Sequence, residues 1–417
     1  MFSVFANAWK VPDIRKKLLY ILLILVIYRL GCHIPLPLID VGALLEYQSG
    51  GAGDSLYAFL VGGGTGTIMA MGIGPYITSS IIMQLLTVAI PKLEQLQKEG
   101  EEGRKKINQY TRIVAVALAV LQGGGTVYTL HTFFVYQNFL VYIMATIAIV
   151  TGTIFIMWLS ELLTERGIGN GSSFIIFANI LSGLPSGVLY FYYAGESADI
   201  WVWLKIIVVL VLFVFIIGFV IMIQDGERKI PVQYSKKMVG RQMYGGSSTY
   251  IPIKVNIAGV MSIIFAISLL QLPQQINGFI NSDGLARVVR VLDHSHAFGA
   301  LLYVFLIFCF TFFYTSFAVN PIEMAENLRK NGGSIPGIRS GKPTSDFIQK
   351  TVDRLSWIGA VFYALIAMIP TIIQWVFGLR VQFGGTTLII VTGVALEIVK
   401  QIESQLLMRH YKGFLNN

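Results

Sequence analysis

The chain has 417 residues, 55% of them hydrophobic and only 13% charged, with a mean hydropathy of +0.68. Soluble globular domains carry about 25% charged residues, so this composition points to lipid and leaves no room for a soluble catalytic domain. The formal net charge of +9 reflects uneven placement of lysine and arginine, so it does not by itself indicate nucleic-acid binding.

At the start, Phe2, Phe5 and Trp9 recur at helical spacing beside Lys10, which predicts a short helix lying on the membrane interface over residues 1–17. No small-residue cleavage site follows the first apolar run, so this start does not read as a cleaved signal. Ten apolar stretches near the roughly 20 residues that span a bilayer then follow one another. They lie at 18–32, 75–90, 111–130, 138–160, 173–193, 201–224, 255–272, 298–319, 355–375 and 384–400. No water reaches backbone amides at that depth, so each stretch is predicted to be helical.

Between spans 1 and 2 the chain runs from about His33 to Gly74, far longer than the usual 2–8 residue helix connection. This stretch holds a short helix-like piece, Ser55-Leu56-Tyr57-Ala58-Phe59-Leu60-Val61, followed by Gly62-Gly63-Gly64-Thr65-Gly66-Thr67. These glycines miss the G-x-G-x-x-G spacing and follow no strand, so they do not read as a nucleotide cradle. Span 2 opens on Gly74-Pro75 and carries Ile77 and Ile81 on one helical face. It leaves the membrane into a charged hairpin, Glu99-Gly100-Glu101-Glu102-Gly103-Arg104-Lys105-Lys106.

Further isoleucine patches with small or polar neighbours occur at Ile176/Ile180 in span 5, Ile263/Ile264 in span 7 and Ile389/Ile390 in span 10. Gln84 and Thr87 in span 2, Gln122 in span 3 and Asn256 in span 7 are polar groups suited to helix–helix hydrogen bonds. Two long connections, 225–254 and 320–354, mix turn residues with aromatic and aliphatic ones and project Lys236, Lys237, Arg241 and Arg339. Asp293, His294 and His296 supply too few ligands for a metal site, and Cys32 and Cys309 stand apart, so neither a disulfide nor a metal follows.

Charge placement predicts the orientation. All but five of the 31 lysines and arginines fall at the N-terminus, in the loops after spans 2, 4, 6 and 8, or in the tail from Lys400. The exceptions are Arg29, Lys205, Arg287, Arg290 and Arg380. The positive-inside rule therefore places both termini and the long basic loops in the cytosol. Five is odd, so spans 6–10 start on the side opposite to spans 1–5. An inverted repeat with function at the interface of its halves is the natural architecture. The expected fold is an all-α polytopic membrane protein with halves at 18–193 and 194–400 and a cytosolic tail at 401–417.

On these residues, and nearly end to end, the chain resembles the SecY family, the channel subunits of the bacterial protein-export translocon. The resemblance implies an hourglass pore whose constriction is a ring of six apolar residues, here Ile77, Ile81, Ile176, Ile180, Ile264 and Ile390. It implies that the segment Ser55–Val61, within about 55–67, folds back as a plug, although the glycine tract is richer than usual and Gly74 stands where Met is common. It implies a lateral gate between spans 2 and 7, with Thr78, Gln84, Thr87, Gln122 and Asn256 along the seam, through which signal sequences and membrane helices leave for lipid. The basic loops are then docking surfaces for the ribosome and the SecA motor ATPase, with Arg339 at the motor-coupling position and Ser340 where Pro is usual. SecE and SecG are the implied companion subunits, the plasma membrane is the implied location, and no cofactor is implied.

Two other classes fit less well. A secondary transporter places ionisable residues near the membrane midplane, whereas Arg29, Lys205 and Glu397 all lie toward span ends. An intramembrane enzyme needs a nucleophile with its base or a ligand set, and neither H-E-x-x-H nor G-x-S-x-G occurs. A passive conduit, driven from outside, is the reading.

Overall fold

Ten helices coincide with the ten predicted spans in a computed structural model that describes residues 8–47, 66–196, 200–234, 237–239, 242–244, 248–280, 283–292, 296–377 and 385–415. They are α1 (Pro12–Gly31), α2 (Gly74–Ala89), α3 (Glu101–Thr129), α4 (Phe139–Arg166), α5 (Gly171–Glu196), α6 (Ile200–Asp225), α7 (Met261–Ile280), α8 (Ala297–Ala318), α9 (Lys342–Phe377) and α10 (Gly385–Leu415). Among the described residues, α3, α4, α6, α8 and α9 are each long and apolar enough to cross a bilayer. Helix α2 and the short helix Pro91–Lys98, bent from it by 101°, pass the same test only when taken together. Shorter apolar stretches lie in α5 and α7, while α1 and α10 carry charges such as Lys16, Lys17, Glu397 and Lys400 within the helix.

Several borders differ from expectation. Helix α1 begins at Pro12, so residues 12–17 extend the first span rather than an interfacial helix; Ala8–Lys10 form a separate helical piece with Trp9 exposed, and Phe2 and Phe5 lie outside the described residues. Proline suits a first helical turn because its missing N–H has no partner there anyway. Helix α7 starts at Met261 rather than 255, since Asn256 Oδ1 accepts the Gly259 amide at 2.7 Å and holds a turn ahead of the helix. Helix α9 starts at Lys342 and α10 runs on to Leu415, so both take in charged residues expected in loop 320–354 and tail 401–417.

The helix packing repeats. In the first half α1 packs on α4, α2 on α3, α3 on α4, and α4 on α5; in the second α6 packs on α9, α7 on α8, α8 on α9, and α9 on α10. The halves meet along two seams, α7 against α2 and α3 on one side, and α5 against α6 and α10 on the other. Outward faces are apolar: Phe215 is 71%, Leu301 70% and Leu365 61% exposed. In water, such area would cost about 25 cal/mol per Å²; against lipid it costs nothing.

On the basic side the chain turns back sharply after α2. Glycine is required at position 103, because a Cβ there would lie 1.7 Å from the Leu96 carbonyl oxygen of the preceding helix. The connection after α6 folds as strands rather than an open loop. Strand β1 (Glu227–Tyr234) pairs antiparallel with β4 (Ser248–Lys254) in the register Glu227↔Lys254, and β2 (Lys237–Val239) pairs with β3 (Gln242–Tyr244). The far edge of β1 accepts β5 (Gly333–Ser334) from the connection after α8. Ile230, Val232 and Ile253 pack against Leu328, Ile335, Ile348 and Val352, so the two long basic connections share one apolar core.

Candidate functional site

Where the two halves face each other lies a cavity of about 710 Å³. Its apolar lining, toward the floor, includes Ile77 and Ile81 of α2, Ile176 of α5, Ile264 of α7 and Ile390 of α10, with Val260, Met261, Phe265 and Val394 beside them. Glycine at the start of α5 lets that helix begin close to α4, since a Cβ on Gly171 would lie 1.9 Å from the Ser160 carbonyl oxygen. Ile180, the sixth residue of the expected ring, is fully buried and is not among the residues lining the cavity. It packs in one apolar cluster with Ile176, Ile390, Ile77 and Ile264.

Toward the basic side the lining becomes polar, with Gln84, Asn170, Asn256, Glu397, Lys400 and Ser404. Glu397 accepts from Gln401 Nε2 at 3.3 Å, and Lys400 pairs with Asp225 of α6 at 2.6 Å. The cavity is thus wet at its mouth and apolar at its floor. A narrow apolar floor repels ions because it offers nothing in place of their hydration shell.

Gln84 and Asn256 line the cavity. The Thr78 hydroxyl donates to the Gly74 carbonyl at 3.1 Å and the Thr87 hydroxyl to the Gln84 carbonyl at 2.7 Å, both within α2. Gln122 is buried in α3. Asn256 lies ahead of α7, where its Oδ1 also accepts from the Tyr363 hydroxyl of α9. The cross-helix bond from α2 comes instead from Ser79, whose hydroxyl donates to the Thr111 carbonyl of α3 at 2.5 Å. Ser79, Tyr28, Asn179 and Gln224 were not singled out in the sequence; a polar residue inside an apolar span was the available signal.

Of the docking residues, Arg339 is exposed, in the connection 331–341 between the helix Pro321–Lys330 and α9. Its carbonyl accepts the Thr344 hydroxyl at 2.9 Å, and buried Ile335 anchors the same connection. Ser340 is exposed beside it. Lys237 begins β2, while Lys236 and Arg241 lie outside the described residues. The expected plug residues Ser55, Leu56, Tyr57, Ala58, Phe59, Leu60 and Val61 also lie outside them. Gly66 and Thr67, at the expected plug border, are tied to the outer loop: Leu36 N–H donates to the Gly66 carbonyl at 2.8 Å and Thr67 bridges Pro35. Among the described residues no group of three His, Cys, Asp or Glu could hold a metal; Asp293 and His294 are not among them, and His296 is exposed.

Comparison with known proteins is specific. A family model for SecY matches residues 67–399. The protein translocase subunit SecY of Streptomyces coelicolor is 44% identical over 438 residues, covering 100% of both chains. That of Aquifex aeolicus is 40% identical over 98% of both, and that of Bacillus subtilis 39% identical over 100% of this chain. Among solved structures, a protein-conducting channel shares the fold with a TM-score of 0.66 at 19% identity, covering 92% of this chain and 91% of that one. Sec61 in a canine ribosome–channel complex aligns with a TM-score of 0.61 at 17% identity, over 92% of this chain and 91% of that one.

Proposed function

This chain belongs to the SecY family of protein-translocase subunits, and from that premise we propose that unfolded preproteins pass through the central cavity, with Ile77, Ile81, Ile176, Ile180, Ile264 and Ile390 forming the constriction. One observation carries the reading: five isoleucines from four helices of both halves meet at the floor of a cavity whose mouth is polar. Apolar walls suit a conduit that must pass any sequence, because they hold no chain strongly enough to arrest it. Branched side chains can part for a polypeptide and close around it.

The same premise supports the finer assignments. The contact of α7 with α2 and α3 suits a seam that parts to release signal helices into lipid. The segment Ser55–Val61 is assigned as the plug. The basic connections are assigned to the cytosol, with both termini there and the plasma membrane as location. The platform that they build, with Arg339 exposed, suits docking of SecA or the ribosome, and a Sec61 relative has been solved in a ribosome–channel complex. Energy then comes from the motor or the ribosome, and SecE and SecG complete the channel. This chain itself runs no reaction.

The test is purification from membranes followed by reconstitution. A small SecE-like protein should accompany the chain, and vesicles holding the complex should import a preprotein when SecA and ATP are added. Vesicles that stay empty under those conditions would overturn the reading.

A further inference from the structure

Two buried hydrogen bonds, one in each half, end on the residue immediately before an isoleucine of the floor cluster. In the first half the Tyr28 hydroxyl of α1 donates to Asn179 Oδ1 of α5 at 2.5 Å, across 151 residues; Asn179 precedes Ile180. In the second half Gln224 Nε2 of α6 donates to the Ile389 carbonyl of α10 at 3.4 Å, across 165 residues; Ile389 precedes Ile390. Helices α1 and α6 are the first of their halves, and α5 and α10 the last, so the two bonds are counterparts under the repeat.

The first is shielded from water, with Tyr28 and Asn179 each 1% exposed, while Gln224, 9% exposed, also lines the cavity. Gln224 has a fitted seat: a Cβ on Gly393 would lie only 3.0 Å from its Nε2, so glycine leaves the amide its room. The Asp225–Lys400 pair joins the same two helices one residue further on.

We propose that Tyr28 and Gln224 are positioning residues of the constriction, holding α5 and α10 at the rotation at which Ile176, Ile180 and Ile390 pack together in one cluster. The inference rests on the reading of those isoleucines as the constriction. Apolar packing is non-directional and leaves a helix free to turn slightly between neighbours of similar shape. A hydrogen bond is directional, so each of these bonds favours one rotation of the helix on which it ends. One such bond beside Ile180 and one beside Ile390 therefore select the closed rotation, and a passing chain must work against both bonds to widen the constriction.

The test uses the whole complex, with its companion subunits, in lipid vesicles, reading the potassium leak of the idle channel and the unfolding temperature. Tyr28→Phe keeps the ring and Gln224→Met keeps the stem. Each should raise idle leak about three- to tenfold, the population shift that one ordinary hydrogen bond corresponds to. Their effects should multiply in the double variant, because the bonds lie in different halves. Ile149→Val trims a fully buried side chain in the α3–α4 core and should lower the unfolding temperature without changing the leak. Wild-type leak in both Tyr28→Phe and Gln224→Met overturns the inference. An Ile390→Asn channel serves as reference: if it leaks while the two variants stay tight, the constriction stands and the positioning role falls. If Ile390→Asn is itself tight, the constriction reading falls and the inference with it.

Discussion

Lys400 Nζ of α10 lies 2.6 Å from Oδ1 of Asp225, the last residue of α6, at the basic mouth of the cavity. The two side chains are 39% and 59% exposed. At such exposure an ion pair contributes about 0–1 kcal/mol and is screened by salt. Asp225→Asn should therefore lower stability by less than about 1 kcal/mol, and the difference should shrink further at high ionic strength. Thermal unfolding of the purified complex at two salt concentrations checks this.

The isoleucine floor makes the sharpest functional prediction. Ile81 is 7% and Ile390 2% exposed, so asparagine at either position places an amide in an apolar site at a cost of roughly 1–3 kcal/mol. The closed state bears that cost more than the occupied one. Ile81→Asn and Ile390→Asn should both raise ion leak and admit preproteins with defective signal sequences. Unchanged leak and unchanged signal stringency in both would count against the constriction.

Arg339 predicts a motor defect without a folding defect. Its side chain is exposed and the connection is held by Thr344 and Ile335 rather than by the arginine. Arg339→Glu should block ATP-driven import while unfolding temperature and companion-subunit association stay at wild type. Import at the wild-type rate would remove the docking role.

The seam predicts a crosslink. Helices α2 and α7 touch, and a disulfide forms only when Cα atoms come within about 7 Å. With Cys32 and Cys309 replaced by serine, cysteines at Thr78 and at Ser262 or Ile263 should crosslink in the idle channel. The bond should arrest import, because the halves can no longer part. A crosslinked channel that still imports preprotein would defeat the lateral gate.

Gly103 predicts a structural defect on the basic side. A Cβ 1.7 Å from the Leu96 carbonyl forces the short helix Pro91–Lys98 away from α3. Gly103→Ala should cost on the order of 1–3 kcal/mol, the range for overpacking a close contact. A thermal shift indistinguishable from wild type would show that the hairpin adjusts freely.

Ile77 and Ile81 were legible because spacing of four residues on a helix is a local fact, and the structure puts both on the cavity floor. Ile180 shares that spacing with Ile176, and the structure buries it fully in the same apolar cluster, although it is not among the residues that line the cavity. Thr78 and Thr87 are expected along the seam, and the structure shows each hydroxyl donating within its own helix. Ser79, between Ile77 and Ile81, makes the cross-helix bond instead. A polar residue in an apolar span announces itself in a sequence; its partner does not.

Hydrophobicity and charge belong to each residue wherever the chain goes. The sequence alone therefore determined the ten helices and the isoleucine-bearing spans. Pairing belongs to two residues at once. Only the tertiary structure decided that Gln233 pairs with Ser334 to join the two basic connections in one platform. It likewise brought Tyr28 to Asn179 and Gln224 to Ile389. Those choices depend on how helices rotate and stack against one another, and apolar surfaces of similar composition allow many such packings until directional hydrogen bonds and close-fitting shapes select among them.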